Sequence, residues 1–248
     1  MEQSDTMKLT GTLAIGYEEF GIVHEHPMLN YLFGLKTREF VILAADTIAV
    51  QQVWNISRED NKFFPITSKT SMVGVGDGGD MDQFGEYIAK NMVLYEMRNG
   101  YPMSPKGVAN FARREIVRNL RTADPHLVNF IVGGYDTTSG PYVALIDYLG
   151  TCFTNNYVMF GYGAFFCYSI LDRIYREEAT IDEAIEIVKK CFMEVKKRFI
   201  IDLGELKVQL INADGVKDLP NVSLSFALGI PGLGEYTCNQ FITAKNFQ

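Results

Sequence analysis

Histidine is scarce in this chain, with three in 248 residues: His24, His26 and His126. Catalytic zinc takes three protein ligands and keeps one position open. His24-x-His26 has no third histidine or acidic cluster beside it, so the pair reads as solvated and no metal is expected. The same scarcity argues against Ser/His/Asp catalysis, because two of the three candidate bases sit near the N-terminus and no G-x-S-x-G is present. The four cysteines, Cys152, Cys167, Cys191 and Cys238, are far apart with no C-x-x-C pair. Neither a zinc site nor a disulfide framework can be read from them, and reduced thiols of a cytosolic compartment fit best.

Positive charge is also in deficit. Lys and Arg total 23 against 30 Asp and Glu, giving a net charge of -7 and a pI near 5.1. Phosphate neutralisation needs clustered cations, so nucleic acid is not expected as a partner. The pairs Arg113-Arg114 and Lys189-Lys190 alternate with apolar residues at helical spacing and read as solvated helix faces. No window approaches the roughly 18 to 20 apolar residues of a spanning helix, so no membrane partner is expected. Met1-Glu-Gln-Ser-Asp5 lacks the basic start of a secretion signal. The sequons at Asn55 and Asn221 are therefore expected to be accidental.

What is present suits a folded soluble protein. Hydrophobic residues make up 47% and charged residues 21%, close to globular averages, and the length suits one sizeable core. Residues 1–29 read as an N-terminal leader, 30–219 as one domain, and 220–248 as a Pro- and Gly-containing tail, either an extended arm or a disordered end.

Within the domain, Tyr31 to Leu35 and Phe40 to Ala45 form short apolar runs around a polar Lys36-Thr37-Arg38-Glu39 turn, a hairpin pattern. Phe63 to Ile66 and Ser71 to Val75 suggest a second strand pair, with Pro65 at an edge. Phe84, Ile88, Met92 and Tyr95 recur at helical intervals. Asp80 or Asp82 is the expected cap of that helix and Asn99-Gly100 its end. Ser104-Pro105 starts a second helix. Leu127 to Val132 and Tyr142 to Ile146 bracket a hairpin loop, and one further strand is expected within Phe153 to Met159. Helices over Gly163 to Tyr175 and Ile181 to Phe199 follow, then a strand from Leu206 to Ile211 and a tight turn at 212–215. Helices arriving in pairs between strand groups point to two stacked sheets with helices outside, rather than βαβ units.

Gly74-Val-Gly76-Asp-Gly-Gly79 matches G-x-G-x-x-G between a strand and a helix. A dinucleotide fold needs a parallel strand after that helix, whereas here a second helix follows. The glycines read instead as room for a helix start close to a sheet. No cofactor is expected.

Asn30, Asp46 and Lys62 are evenly spaced, sixteen residues apart. Val41-Ile-Leu-Ala-Ala-Asp46, Lys62 and Gly74-Val-Gly76-Asp-Gly-Gly-Asp80 together resemble 20S proteasome beta subunits. Further segments are similar to the beta type-2 branch of that family, a non-catalytic one at the fourth ring position. These are Gln83-Phe-Gly-Glu-Tyr-Ile-Ala-Lys-Asn91, Tyr95-Glu-Met-Arg-Asn-Gly-Tyr101, Ala109-Asn-Phe-Ala-Arg-Arg114, Gly134-Tyr-Asp136, Gly161-Tyr-Gly-Ala-Phe165 and Ser169-Ile-Leu-Asp-Arg173.

The resemblance covers about Asn30 to Leu219 and implies an α+β fold, a four-layer αββα sandwich of the N-terminal nucleophile hydrolase class. Active members cut the chain after a glycine to expose a threonine, whose α-amine takes its hydroxyl proton while an aspartate and a lysine set the charges. The resemblance places Asp46 and Lys62 at the latter two positions, Asn30 at the threonine and Tyr162 where a supporting serine would stand. Leu29 replaces the glycine, and Leu203-Gly-Glu-Leu206 after Asp202 supplies no serine. The four residues Asn30, Asp46, Lys62 and Tyr162 therefore form a vestigial site with no catalytic member.

Gly11-Thr12-Leu-Ala-Ile15 resembles a processed start. Counted from Thr12, the aspartate and lysine positions hold Met28 and Ala44. The resemblance thus implies a structural subunit of a hetero-oligomeric, twenty-eight-subunit core, with other beta and alpha subunits as partners, found in cytoplasm and nucleus. An active threonine hydrolase exposed at Thr12 or Thr10 is the alternative.

Overall fold

Along β1 (Leu32–Lys36) and β2 (Val41–Asp46) successive side chains point to opposite faces, and both faces are apolar. Phe33, Leu35, Ile42 and Ala44 pack on one side, Leu32, Val41, Leu43 and Ala45 on the other. Strands buried on both faces must lie in the middle of a layered molecule, and the computed structural model shows those layers. It describes residues 30–51, 54–123, 125–198 and 203–223. The leader over 1–29 with Thr10, Thr12, His24 and His26, together with Asp202, Cys238 and the tail beyond 223, lies outside the described residues.

The remaining elements are β3 (Ala49–Gln51), β4 (Trp54–Ser57), β5 (Phe63–Thr67), β6 (Thr70–Gly76), α1 (Gly78–Asn99), α2 (Pro105–Asn119), β7 (Val128–Asp136), β8 (Gly140–Ile146), β9 (Cys152–Thr154), β10 (Tyr157–Phe160), α3 (Gly163–Ile174), α4 (Ile181–Arg198), β11 (Leu206–Asn212) and β12 (Gly215–Val222). One sheet runs β10-β1-β2-β11-β12 and the other β5-β6-β7-β8-β9, with every neighbouring pair antiparallel. β12 continues to Val222, past Leu219.

Three apolar cores separate four layers. Phe33, Ile42 and Val208 meet Cys167, Leu171, Val188, Phe192 and Val195 of α3 and α4. Met72, Phe130, Val132 and Ile146 meet Phe84, Ile88 and Met92 of α1 with Val108, Ala112 and Ile116 of α2. Leu32, Leu43, Val73, Val75, Ile131, Val143 and Val158 fill the space between the sheets. At about 1.5–3 kcal/mol for each fully buried large apolar side chain, these cores carry most of the favourable energy of folding. The architecture is the αββα sandwich expected above. Pro65 sits on β5, the edge of its sheet, where its missing N–H breaks no ladder.

Three local expectations are corrected. The α1 cap is Asp77, whose carboxylate accepts the Gly79 N–H at 3.3 Å, because the helix starts at Gly78 and takes in both glycines. Residues Phe153 to Met159 form two strands rather than one: β9 pairs with β8, and β10 pairs with β1 in the other sheet. The chain changes sheets at Asn155-Asn156, where polarity interrupts the apolar run. The glycines of the G-x-G-x-x-G segment also serve the sheet more than the helix. A Cβ at Gly74 would stand 2.1 Å from the Phe130 ring and one at Gly76 would stand 2.4 Å from the Leu127 carbonyl, while Gly78 and Gly79 face nothing within 4 Å. Since β6 is antiparallel to both its neighbours, no βαβ unit exists here.

Candidate functional site

The β1–β2 hairpin closes with Tyr31 opposite Asp46, and two hydrogen bonds fix that end. The Tyr31 N–H donates to Asp46 Oδ1 at 2.8 Å, and the Asp46 N–H donates to the Tyr31 carbonyl at 3.2 Å. Asp46 belongs to one sheet. Lys62 stands immediately before β5 of the other, its carbonyl held by the Gly74 N–H at 3.0 Å. The Lys62 side chain therefore crosses between the layers to reach the end of β2.

An ammonium has three protons. Lys62 Nζ places them on Asn30 Oδ1 at 2.7 Å, Asp46 Oδ2 at 2.7 Å and the Ile48 carbonyl at 2.9 Å. The charged groups are dry, with side-chain exposures of 3% for Lys62 and 0% for Asp46. Burial pushes the Asp46 carboxyl above its ordinary value, while the Lys62 charge and the backbone N–H groups of Tyr31 and Asp46 pull it back. A buried pair of this kind adds little net stability against an apolar alternative, but losing one partner strands the other charge.

The structure brings the evenly spaced Asn30, Asp46 and Lys62 into one hydrogen-bonded cluster. Asn30 presents its carboxamide oxygen to the ammonium, since its NH2 would face donor to donor. That oxygen belongs to no ionisable hydroxyl or thiol. Lys62 has no further proton with which to stabilise charge developing on a substrate.

Tyr162 immediately precedes α3, is 40% exposed, and is not among the acceptors of Lys62. Its neighbour Gly163 links α3 to the site, because a Cβ there would stand 2.4 Å from the Tyr31 ring and 3.2 Å from Val195.

Two participants were not singled out from the sequence. The Ile48 carbonyl is a backbone group and leaves no residue signature. Tyr31 was legible only as the first apolar residue of a strand. Its ring packs 6.3 Å from Phe33 and 5.8 Å from Phe192 between centroids, and its buried hydroxyl has no hydrogen-bond partner among the described residues. Burial pushes that hydroxyl well above its ordinary value, helped by the neighbouring thiols of Cys167 and Cys191.

A surface recess among the described residues lies away from this cluster. It is lined by Arg38, Arg176, Glu177, Glu178 and Glu183, at the turn end of the β1–β2 hairpin, opposite the Tyr31–Asp46 end. Among the described residues no three His, Cys, Asp or Glu side chains are grouped to share a metal ion.

Residues 31–211 match the family described as "Proteasome subunit". The chain is 36% identical over 192 residues to the "Probable proteasome subunit beta type-4" of Schizosaccharomyces pombe, covering 77% of this chain and 99% of that protein. It is 37% identical over 190 residues to the "Proteasome subunit beta type-2-B" of Arabidopsis thaliana, covering 77% and 95%. With the "Proteasome subunit beta type-2" of Caenorhabditis elegans it shares 35% identity over 198 residues, covering 78% and 99%.

Proposed function

The chain belongs to the proteasome subunit family, among its beta subunits, and from that premise we propose that it is a non-catalytic member of the 20S core. In this reading it takes the beta type-2 role at the fourth position of a seven-membered beta ring. There it helps wall the proteolytic chamber and positions active neighbours. The assembly is a hetero-oligomer of twenty-eight alpha and beta subunits serving ubiquitin- and ATP-linked protein degradation in cytoplasm and nucleus.

One observation carries the non-catalytic part: the Lys62 ammonium is hydrogen-bonded to the Asn30 carboxamide at 2.7 Å, where an active subunit needs a hydroxyl. Threonine-type attack needs both that hydroxyl and a free α-amine on the same residue. Leu29 ahead of Asn30 also lacks the glycine after which active subunits are cut.

The test pairs two measurements on the native particle. Intact mass should show no mature chain beginning at Thr10 or Thr12, and a threonine-directed covalent inhibitor should leave this chain unlabelled while labelling neighbours. A labelled chain starting at either threonine establishes the active-hydrolase alternative. Recovery of the chain only as a free monomer removes the assembly reading altogether.

A further inference from the structure

Cys167 of α3 and Cys191 of α4 meet in the core between the two helices and the sheet beneath them, both without solvent contact. The Cys167 S–H donates to the Cys191 carbonyl at 3.4 Å, and the two thiols are themselves in hydrogen-bonding contact. The third polar group there is the Tyr31 hydroxyl, which is fully buried, borders both thiols and has no hydrogen-bond partner among the described residues. Its chemistry and that of the thiols are not part of the Lys62 cluster.

Two thiols in contact can hold a thiophilic metal or close into a disulfide. A metal on two thiolates needs further ligands or a counter-charge in so dry a place. Among the described residues no three His, Cys, Asp or Glu side chains are grouped. The influences on Tyr31 and Cys191 are burial and the thiols themselves, with no cation among them. A disulfide is neutral and asks for neither.

We propose that Cys167 and Cys191 are a paired oxidation site, closing into a disulfide that staples α3 to α4 when the chain meets a peroxide. One sulfur attacks a peroxide oxygen, the O–O bond breaks and a sulfenic acid forms. The second sulfur then displaces water from the first as the S–S bond forms. Overall two thiols are oxidised to one disulfide, and hydrogen peroxide is reduced to two waters that take up the thiol hydrogens.

The packing sets when this happens. Contact with Cys167 first, and burial second, hold Cys191 in its thiol form, whereas the thiolate is what attacks. Oxidation therefore passes through a local opening of α3 from α4, and reclosing shields the new bond from reductant. Cys152, only partly buried, needs no such opening. Phe192, the residue after Cys191, packs on the Tyr31 ring, and the Tyr31 N–H holds Asp46. The staple thus tightens the helical layer over one wall of the Lys62 cluster.

The full-length chain is treated with hydrogen peroxide, its remaining thiols are blocked with N-ethylmaleimide, and it is digested without reductant. The expected product is a peptide pair joined through Cys167 and Cys191 of one chain, formed several-fold faster in urea too dilute to unfold the protein. The oxidised chain should melt about 5 °C higher until reductant is added. Recovery of both residues as blocked thiols while Cys152 is oxidised overturns the proposal, as does a bond from either to Cys152, Cys238 or a second chain. A rate indifferent to urea overturns the opening step. An unchanged melting point, or a reductant-sensitive rise that persists in Cys191→Ala, overturns the staple. The peptide map is read on the wild-type chain, so it stands whether or not that variant folds.

Discussion

Asn30 and Lys62 face each other across the two sheets, carboxamide oxygen to ammonium nitrogen, at 2.7 Å. Asn30 supplies one of three acceptors that let a buried cation sit in a dry interior. It therefore contributes to stability by holding the buried Lys62 ammonium.

Asn30→Ala leaves one proton of that ammonium without its acceptor. An unmet buried donor costs about 1–3 kcal/mol. Denaturant unfolding of the wild-type and variant chains under one set of conditions should show a loss in that range, and an unchanged midpoint contradicts the role given to Asn30.

Lys62→Met strands the Asp46 carboxylate, at a cost of about 3–5 kcal/mol near neutral pH. The cost depends on pH with a definite sign. Burial already raises the Asp46 carboxyl in the folded chain, and removing Lys62 removes the positive charge that most opposes that rise. The folded state then holds this proton more tightly than the unfolded one, so stability falls as pH rises from the ordinary carboxylate value through the raised one and is level above it. Unfolding midpoints measured from pH 3.5 upward should show the variant approaching wild type in acid. A constant difference across that range contradicts the assignment.

Asn30→Thr restores a hydroxyl beside Lys62, yet Leu29 still precedes it and no free α-amine is made. Peptide hydrolysis by particles carrying the variant is expected to stay at the wild-type rate, with no inhibitor adduct on the introduced side chain by mass spectrometry. An adduct would show that processing does not require the glycine.

Tyr31 should respond in opposite directions to two changes. Tyr31→Phe removes a buried hydroxyl that has no hydrogen-bond partner among the described residues and should raise stability by about 1 kcal/mol. Gly163→Ala drives a methyl to within 2.4 Å of the same ring and should cost about 1–3 kcal/mol through overpacking. Thermal midpoints moving the same way in both variants contradict this account of the contact.

Ser71→Ala probes the tie between the sheets away from the ion pair. The Ser71 hydroxyl donates to Gln209 Oε1 at 2.7 Å, and Gln209 Nε2 donates to Asp218 at 2.7 Å. Losing the first donor leaves the Gln209 oxygen unmet at about 1–3 kcal/mol. A double-mutant cycle with Gln209→Leu should recover part of that loss.

The β1–β2 hairpin could be read from the sequence because its apolar runs flank one polar turn, and the α2 start because Ser104 and Pro105 mark it chemically. Asn30, Asp46 and Lys62 emerged from even spacing combined with a family pattern, since spacing alone names no partner. The division of Phe153 to Met159 between two sheets was not legible, because a strand's sheet is decided by its long-range neighbour. Nor was Asp77 as the α1 cap, where two glycines disguised the first helical turn. The little β3–β4 sheet carried no periodic signal over so few residues.

β2 has β1 on one side and β11 on the other, and the β2–β11 seam is continued by Thr47, whose N–H and hydroxyl both reach the Glu205 carbonyl, 158 residues further on. A nascent chain has therefore made Asp46 and Lys62 long before the strand that closes over β2 has left the ribosome. Until then β2 is an apolar strand with an open edge, the kind that invites pairing with other chains. Pairings of such long sequence separation form slowly. The interval in which this protein is most exposed to aggregation is thus set by the order in which its strands are synthesised.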